Sequence, residues 1–235
     1  MSALRWQELL KGITAHREDA GCTFTQAICY EAVKVIHVDD ASVTMTVGNA
    51  FTVVSASSVR AVALEDQQFT IGEGPTFDST QSNLPILTPR LGSGFHVKWP
   101  IFSRFAISHQ INASFCFPVR IGDARIGALT LYREANIGLT SQEYADALIY
   151  ASLSSDDLIR SVTEGISGGA SPLAIAGLSN TSEVQQAAGM LAEKFNCSVV
   201  DGLVRLRAAA YARQEPISII AKRILNRELN LLYNY

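Results

Sequence analysis

The stretch FTIGEGPTFDSTQSNLPILTP, residues Phe69–Pro89, is the most informative about the fold of the first part of the chain. Within it, Gly72 and Gly74 bracket Glu73 and precede Pro75. Glycine adopts positive φ at no steric cost, and proline with its fixed φ suits the first turn of a helix. The stretch therefore predicts a glycine turn, a short helix and then a short strand in LPILTP.

Two predicted hairpins flank this stretch. The segment ASVTMTVG, residues 41–48, alternates apolar and hydroxyl side chains, which is the pattern of a half-buried strand. Gly48-Asn49 favours a turn, and FTVVSAS returns as the partner strand. The segment FPVRIGDARIGALTLY, residues 117–132, indicates two further strands joined by a turn at 121–124.

Helices are predicted on both sides of these strands. Apolar spacing favours helices over residues 3–17 and 23–36. A long helix is expected after Leu139 and as far as about Val162, because Thr140 and Glu143 have the spacing of a capping box. The predicted fold class is α+β, with a central antiparallel sheet flanked by helices.

This order of elements resembles the GAF domain, in particular the GAF domains joined to ANTAR domains in bacterial regulators. The motifs IGEGP…D…PIL and FPV…G…IGALTLY carry the resemblance, which covers about residues 20–160. It implies a sensory or dimerising domain with a pocket for a small-molecule ligand on one sheet face, and the ligand's identity is unknown. Five motif residues are interpreted as loop and helix architecture: Phe69, Gly72, Gly74, Pro75 and Asp78.

Residues that would indicate catalysis or metal binding are scattered. The chain has no CxxC, HExxH or GxxxxGK[ST] motif, so we expect no metal site, no cofactor and no enzymatic activity. A GAF-fold methionine sulfoxide reductase is an alternative, but it needs reactive cysteines placed together. The four cysteines lack such a spacing: Cys22, Cys29, Cys116 and Cys197. Cys116 is predicted to be a core thiol facing opposite Phe115 and Phe117.

Composition sets the class of protein. Of 235 residues, 48% are hydrophobic and 17% charged, which is enough apolar material for buried cores. The chain contains no apolar run of about 18 residues. The N-terminal segment lacks the continuous apolar stretch of a secretion signal. We therefore expect a cytoplasmic protein without a membrane span.

The segment TEGISGGASPLAIAGLSNT, residues 163–181, is rich in Gly, Ser and Ala and is predicted to be a linker. It separates a GAF-like domain, residues 1–162, from a helical domain, residues 182–235. The net charge of the chain is −3, yet residues 183–235 contain seven basic and five acidic side chains. The charge asymmetry is mild and favours the second domain as the part that meets an anionic partner.

Three short helices are predicted in the second domain. The first has an apolar stripe between residues 183 and 196, capped by Thr181 or Ser182. The second runs from a cap at Ser198 to Arg213, and the third begins after Pro216. Each has one apolar side, so a three-helix bundle is expected.

This part resembles the ANTAR domain, an RNA-binding transcription-antitermination module. The motifs are QAAGML, LVRLRAAA and PISIIA on the three successive helices, within residues 184–225. The resemblance implies that two domains, as in a homodimer, act on paired RNA hairpins near a terminator. Binding one RNA fold would prevent the competing terminator fold. Ala188 departs from the pattern, because many such domains have a lysine there.

The candidate RNA-binding residues combine the motif positions with side chains that suit RNA. Guanidinium groups and aromatic rings recognise phosphates and stack on bases, and small residues allow close approach. The candidates are Gln186, Ala188, Gly189, Arg205, Arg207, Tyr211 and Arg213. The alternative is a bundle that mediates dimerisation or protein binding and has lost RNA binding. Substituting Arg205 and Arg207 by Glu discriminates between them, since only an RNA-binding bundle would lose RNA affinity while keeping its oligomeric state.

Overall fold

The computed structural model describes residues 3–47, 50–92, 98–167 and 179–229. The first part contains six helices: α1 (Ala3–Ala20), α2 (Phe24–Ile36), α3 (Val59–Ile71), α4 (Pro75–Ser82), α5 (Pro100–Ser108) and α6 (Ser141–Ser167). Its strands are β1 (Asp40–Val47), β2 (Ala50–Ala56), β3 (Ile86–Thr88), β4 (Ala113–Ile121) and β5 (Ala124–Arg133). The second part contains α7 (Ser179–Phe195), α8 (Val199–Arg213) and α9 (Ile217–Leu225).

The five strands form one antiparallel sheet in the order β2-β1-β5-β4-β3. Both predicted hairpins are confirmed as β1–β2 and β4–β5, although the turn residues Gly48 and Asn49 lie outside the described residues. One sheet face is apolar and carries the opposed pairs Phe115–Leu131 and Phe117–Leu129. Helices α2 and α6 pack on this face, and α1 packs on α2, so that all three contribute to the main core.

Local capping signals place the helix ends of the first part. Thr23 caps α2 by accepting from the backbone N–H of Gln26. The predicted capping box before α6 is confirmed: Thr140 N–H donates to Glu143 at 2.6 Å, and Glu143 N–H donates to the Thr140 hydroxyl at 3.2 Å. Helix α6 continues to Ser167, five residues further than predicted.

Helix α3 was not predicted from the sequence. It begins at Val59, capped by Ser58, and ends at Gly72 with φ +74°. Its buried side includes Glu65 and Gln68 beside Leu64 and Phe69. Because two polar residues interrupt the apolar stripe, the helical period is weak in the sequence.

The helices α7, α8 and α9 pack around a shared apolar core. A capping box between Ser198 and Asp201 starts α8. Helix α7 begins at Ser179, earlier than the predicted cap at Thr181 or Ser182. The predicted linker is therefore partly helical at both ends, and its residues 168–178 lie outside the described part of the chain. None of the described helices is long and apolar enough to cross a membrane.

Candidate sensory cluster and candidate RNA interface

The second face of the sheet has buried polar rows at its centre. Opposed residues of an antiparallel sheet lie on the same face, and here Cys116, Thr130 and Ser42 form one such row across β4, β5 and β1. Ser114 and Tyr132 form the next row, and all five side chains are inaccessible to solvent. The predicted alternation in β1 is correct, but its hydroxyl side faces protein rather than water.

Helix α3 supplies the polar partners of this face. Glu65 Oε1 accepts from the Ser42 hydroxyl and from the Tyr132 hydroxyl, each at 2.7 Å. Gln68 Nε2 donates to Glu65 at 3.2 Å and to the Tyr132 hydroxyl at 2.8 Å. The carboxyl and the amide lie one turn apart on α3, so both point at the sheet.

Helix α4 closes the cluster from the side. Gln68 Nε2 donates to the Thr76 hydroxyl at 3.1 Å, and Thr76 N–H donates back to Gln68 Oε1 at 2.9 Å. The Thr76 hydroxyl also lies 2.9 Å from that of Thr130, which contacts Cys116 Sγ at 3.2 Å. Gly74, with φ +143°, allows this approach, because a Cβ atom there would overlap the Gln68 side chain.

We call Ser42, Glu65, Gln68, Thr76, Cys116, Thr130 and Tyr132 the buried polar cluster. The cluster contains the carboxyl group of Glu65, and none of the ion pairs among the described residues includes it. Burial raises the pKa of Glu65 above its ordinary value, and its hydroxyl donors oppose the rise. Next to the cluster, the buried Ser114 hydroxyl has no hydrogen-bond partner among the described residues.

The cluster is suited to exchanging hydrogen bonds rather than to nucleophilic chemistry. Burial raises the pKa of the Cys116 thiol to about 12, so the nucleophilic thiolate is absent near neutral pH. The hydroxyl groups can both donate and accept hydrogen bonds, whereas the Gln68 amide supplies a fixed donor and a fixed acceptor.

Glu73 and Asp78, the acidic residues of the glycine motif, have structural roles. Glu73 accepts from the backbone N–H groups of Ile101 and Phe102, at 2.8 and 3.0 Å, and so caps the start of α5. Asp78 accepts from the indole N–H of Trp99 at 3.1 Å and pairs with Lys98 at 2.6 Å. The predicted positive φ angles of Gly72 and Gly74 are confirmed.

Sequence reasoning missed Glu65, Gln68, Thr76, Thr130 and Tyr132 as a group. The available signal was weak: a Glu and a Gln three residues apart inside VALEDQQF, and hydroxyls at alternate positions of ALTLY. Both patterns are equally typical of solvent-facing positions. Only the packing of α3 and α4 over the sheet brings them together.

The candidate RNA-binding residues of α8 point in different directions. The Arg205 side chain is exposed, and its guanidinium lies 4.4 Å from the centroid of the Phe195 ring. Tyr211 is 55% exposed, and Arg213 is half-buried and donates to the Ala209 carbonyl at 3.5 Å. Arg207 is rotated about 200° away from Arg205 and contacts the first domain.

The candidates of α7 also divide between surface and interior. Gln186 is exposed, and a Cβ atom on Gly189 would have no heavy atom of another segment within 4 Å. Ala188, in contrast, is fully buried against α8 and cannot touch a partner in this arrangement. The expected contact at Ala188 is therefore corrected: the residue faces the bundle core, where a methyl group fits and a lysine ammonium would lose its hydration.

The first part is an α+β domain, with an apolar sheet face under one helical layer and a largely buried polar face under the other. Among solved structures, the chain is similar to the GAF domain of a phosphoenolpyruvate-protein phosphotransferase from Coxiella burnetii, with 12% identity and a TM-score of 0.51. That similarity covers 71% of this chain and 99% of the other.

The corresponding GAF domain from Acinetobacter is similar with 11% identity and a TM-score of 0.52, over 70% of this chain and 99% of that one. The first part therefore has a GAF-like fold, and the GAF part of the sequence resemblance is confirmed at the level of the fold. No protein-family profile matches the chain. No curated protein matches it significantly.

Proposed function

We propose that the chain is a signal-responsive RNA-binding regulator of transcription antitermination. Its GAF-like domain senses a small polar ligand, and its helical bundle binds RNA hairpins in the cytoplasm. The protein acts by binding and catalyses no reaction. The observation that carries the RNA part is Arg205: within the ANTAR-like segment, its guanidinium is presented at the surface over the Phe195 ring.

Guanidinium planes and aromatic rings recognise RNA through phosphate contacts and base stacking. Arg205 and Tyr211 are exposed on α8, and Gln186 and Gly189 lie on an accessible part of α7. Two basic residues of α9 are instead engaged by acids: Lys222 pairs with Glu183 at 3.5 Å, and Arg223 pairs with Glu215 at 3.0 Å. These pairs favour Arg205 over Lys222 and Arg223 as a cationic contact to RNA.

The test is a titration of the full chain with RNA containing two tandem hairpins and with unrelated RNA of equal length. We expect preferential binding of the hairpin RNA. Arg205→Ala should weaken it roughly tenfold, since one good guanidinium contact is worth about 1–3 kcal/mol. Arg120→Ala, an exposed arginine on β4, removes the same charge outside the bundle and should change nothing. Equal affinity for both RNAs in all three proteins would contradict the proposal.

A second candidate function is supported by a different observation. Val199, Val200, Val204 and Tyr211 are more than half exposed on α8, which is typical of a surface that meets another protein. A bundle that binds only protein would respond to Val204→Ser in its assembly state, measured by sedimentation. Arg205→Ala would leave that state unchanged.

We also propose that the protein acts as a homodimer, because two hairpins require two bundles. Analytical ultracentrifugation with and without tandem-hairpin RNA tests this. One bound RNA per two chains is the expected stoichiometry, and one RNA per chain at saturation would contradict it.

A further inference from the structure

Arg207 lies in an aromatic seat on the GAF-like domain. Its Nε donates to the carbonyl oxygen of Phe69 at 3.2 Å. Its guanidinium carbon lies 5.9 Å from the ring centroid of Phe69 and 5.4 Å from that of Phe77. Gly72 completes the seat, because a Cβ atom there would lie 2.8 Å from Arg207 Nη1. We call Phe69, Gly72 and Phe77 the Arg207 seat.

The seat joins the two domains at the end of α3. Phe69 is 7% exposed and belongs to the apolar core of the bundle rather than to that of its own domain. Its carbonyl is among the last four of α3, which lack a partner within the helix. A guanidinium at that position also interacts favourably with the negative end of the helix dipole.

The hydrogen-bond donors of Arg207 are only partly satisfied in this contact. None of the ion pairs among the described residues includes Arg207, and its buried Nη2 has no hydrogen-bond partner there. Burial lowers the pKa of Arg207, which reflects the cost of taking the cation out of water. The aromatic faces and one carbonyl offset part of that cost.

The seat and the buried polar cluster occupy neighbouring residues. On α3, Gln68 belongs to the cluster and Phe69 to the seat. On α4, Thr76 belongs to the cluster and Phe77 to the seat. Since each pair is covalently adjacent, movement of Gln68 and Thr76 also moves the backbone that carries the two rings beside Arg207.

We propose that the Arg207 seat forms an autoinhibitory contact. The GAF-like domain keeps α8 docked through Arg207, and rearrangement of the buried polar cluster releases α8. This inference rests on the proposed RNA binding by α8. In the docked arrangement Arg207 is unavailable to RNA, and the side of α8 that carries it faces α3. Release exposes Arg207 on the side of α8 opposite to Arg205, where its guanidinium adds a second cationic contact for RNA.

The first arm of the test measures docking without RNA. Phenylglyoxal modifies exposed arginines, and mass spectrometry compares the rates at Arg207 and Arg205 in the same helix. In the wild type Arg207 should react about tenfold more slowly, because its reaction requires local opening. Phe77→Ala should bring the two rates together. Phe105→Ala, which removes a similarly half-buried ring from α5, should not.

The second arm measures RNA affinity in the same proteins. Phe77→Ala should bind tandem-hairpin RNA about tenfold more tightly than the wild type, since affinity scales with the fraction of competent molecules. Phe77→Leu keeps an apolar side chain but removes the aromatic ring, and it replaces Phe77→Ala in both measurements if the alanine variant fails to fold. Thr130→Val alters the cluster without touching the bundle. Like Phe77→Ala, it should raise both the rate of Arg207 modification and the affinity for tandem-hairpin RNA.

The outcomes distinguish failure of the autoinhibitory contact from failure of the proposed RNA binding. Equal rates of phenylglyoxal modification at Arg205 and Arg207 in the wild type would overturn the autoinhibitory contact. Faster Arg207 modification in Phe77→Ala with unchanged RNA affinity would also overturn it, while leaving RNA binding intact. Absence of hairpin binding in every variant would overturn the proposed function and the regulatory inference with it. Thr130→Val without effect on either readout would overturn the coupling to the cluster.

Discussion

Gly202 of α8 lies directly against the backbone of α7 at Ala188. A Cβ atom on Gly202 would lie 3.1 Å from the backbone nitrogen of Ala192 and closer still to the Ala188 carbonyl oxygen. Gly202 is thus the residue that allows the helices to touch. Gly189, where the sequence favoured a close approach, faces open space.

This difference predicts opposite effects of two glycine-to-alanine substitutions. Gly202→Ala should lower the free energy of unfolding by about 1–3 kcal/mol, because backbone atoms cannot yield to the new methyl group. Gly189→Ala should raise it by up to about 1 kcal/mol through helix propensity. Urea denaturation measures both. Stabilisation by Gly202→Ala would show that the helices are not in contact there.

The buried acid predicts a particular pH dependence. The raised pKa of Glu65 means that the native state binds its proton more tightly than the unfolded chain. Its contribution to stability is therefore full below the ordinary glutamate pKa of 4.5 and is lost as pH rises through the native pKa. Above pH 4.5, the free energy of unfolding of the wild type should fall relative to Glu65→Gln.

Glu65→Leu is the matched control for that experiment. It removes the titration but leaves the hydroxyls of Ser42 and Tyr132 without their partner. It should cost about 1–3 kcal/mol for each unsatisfied group, whereas Glu65→Gln should cost less. Parallel pH profiles of the wild type and Glu65→Gln would contradict the assignment of a raised pKa.

The cysteines should differ in reactivity. Cys29 and Cys116 are buried, whereas Cys22 and Cys197 are partly exposed. With the pKa of Cys116 raised to about 12, its thiolate is scarce. Iodoacetamide labelling of the native protein near neutral pH should modify Cys22 and Cys197 first. Rapid labelling of Cys116 would instead favour a reactive thiol and an enzymatic role.

RNA binding should depend on salt. Each phosphate contact contributes roughly −0.7 to −0.9 to the slope of log affinity against log salt concentration. If Arg205 contacts a phosphate, Arg205→Ala should reduce that slope by about one. An unchanged slope with weaker binding would assign Arg205 to base stacking.

Much of the architecture could be predicted because its signals are local. The alternation in β1, the turn between β4 and β5, and the Thr140–Glu143 box depend on residues within a few positions of one another. Helix α3 escaped prediction because Glu65 and Gln68 resemble solvent-facing residues until a sheet lies beneath them. Arg207 looked like one more exposed arginine of α8, since nothing near it in the sequence indicates Phe69 or Phe77.

Backbone preference and hydrophobic period were enough to predict the two hairpins, the Thr140–Glu143 capping box, the glycine turn at 72–74 and the spacing of the bundle helices. The packing of α3 and α4 on the sheet brings the buried polar groups together, and the packing of α8 on α3 leaves Arg205 rather than Arg207 facing water. Those outcomes depend on contacts between segments far apart in the chain. The Arg207–Phe69 hydrogen bond, which spans 138 residues, is the clearest example.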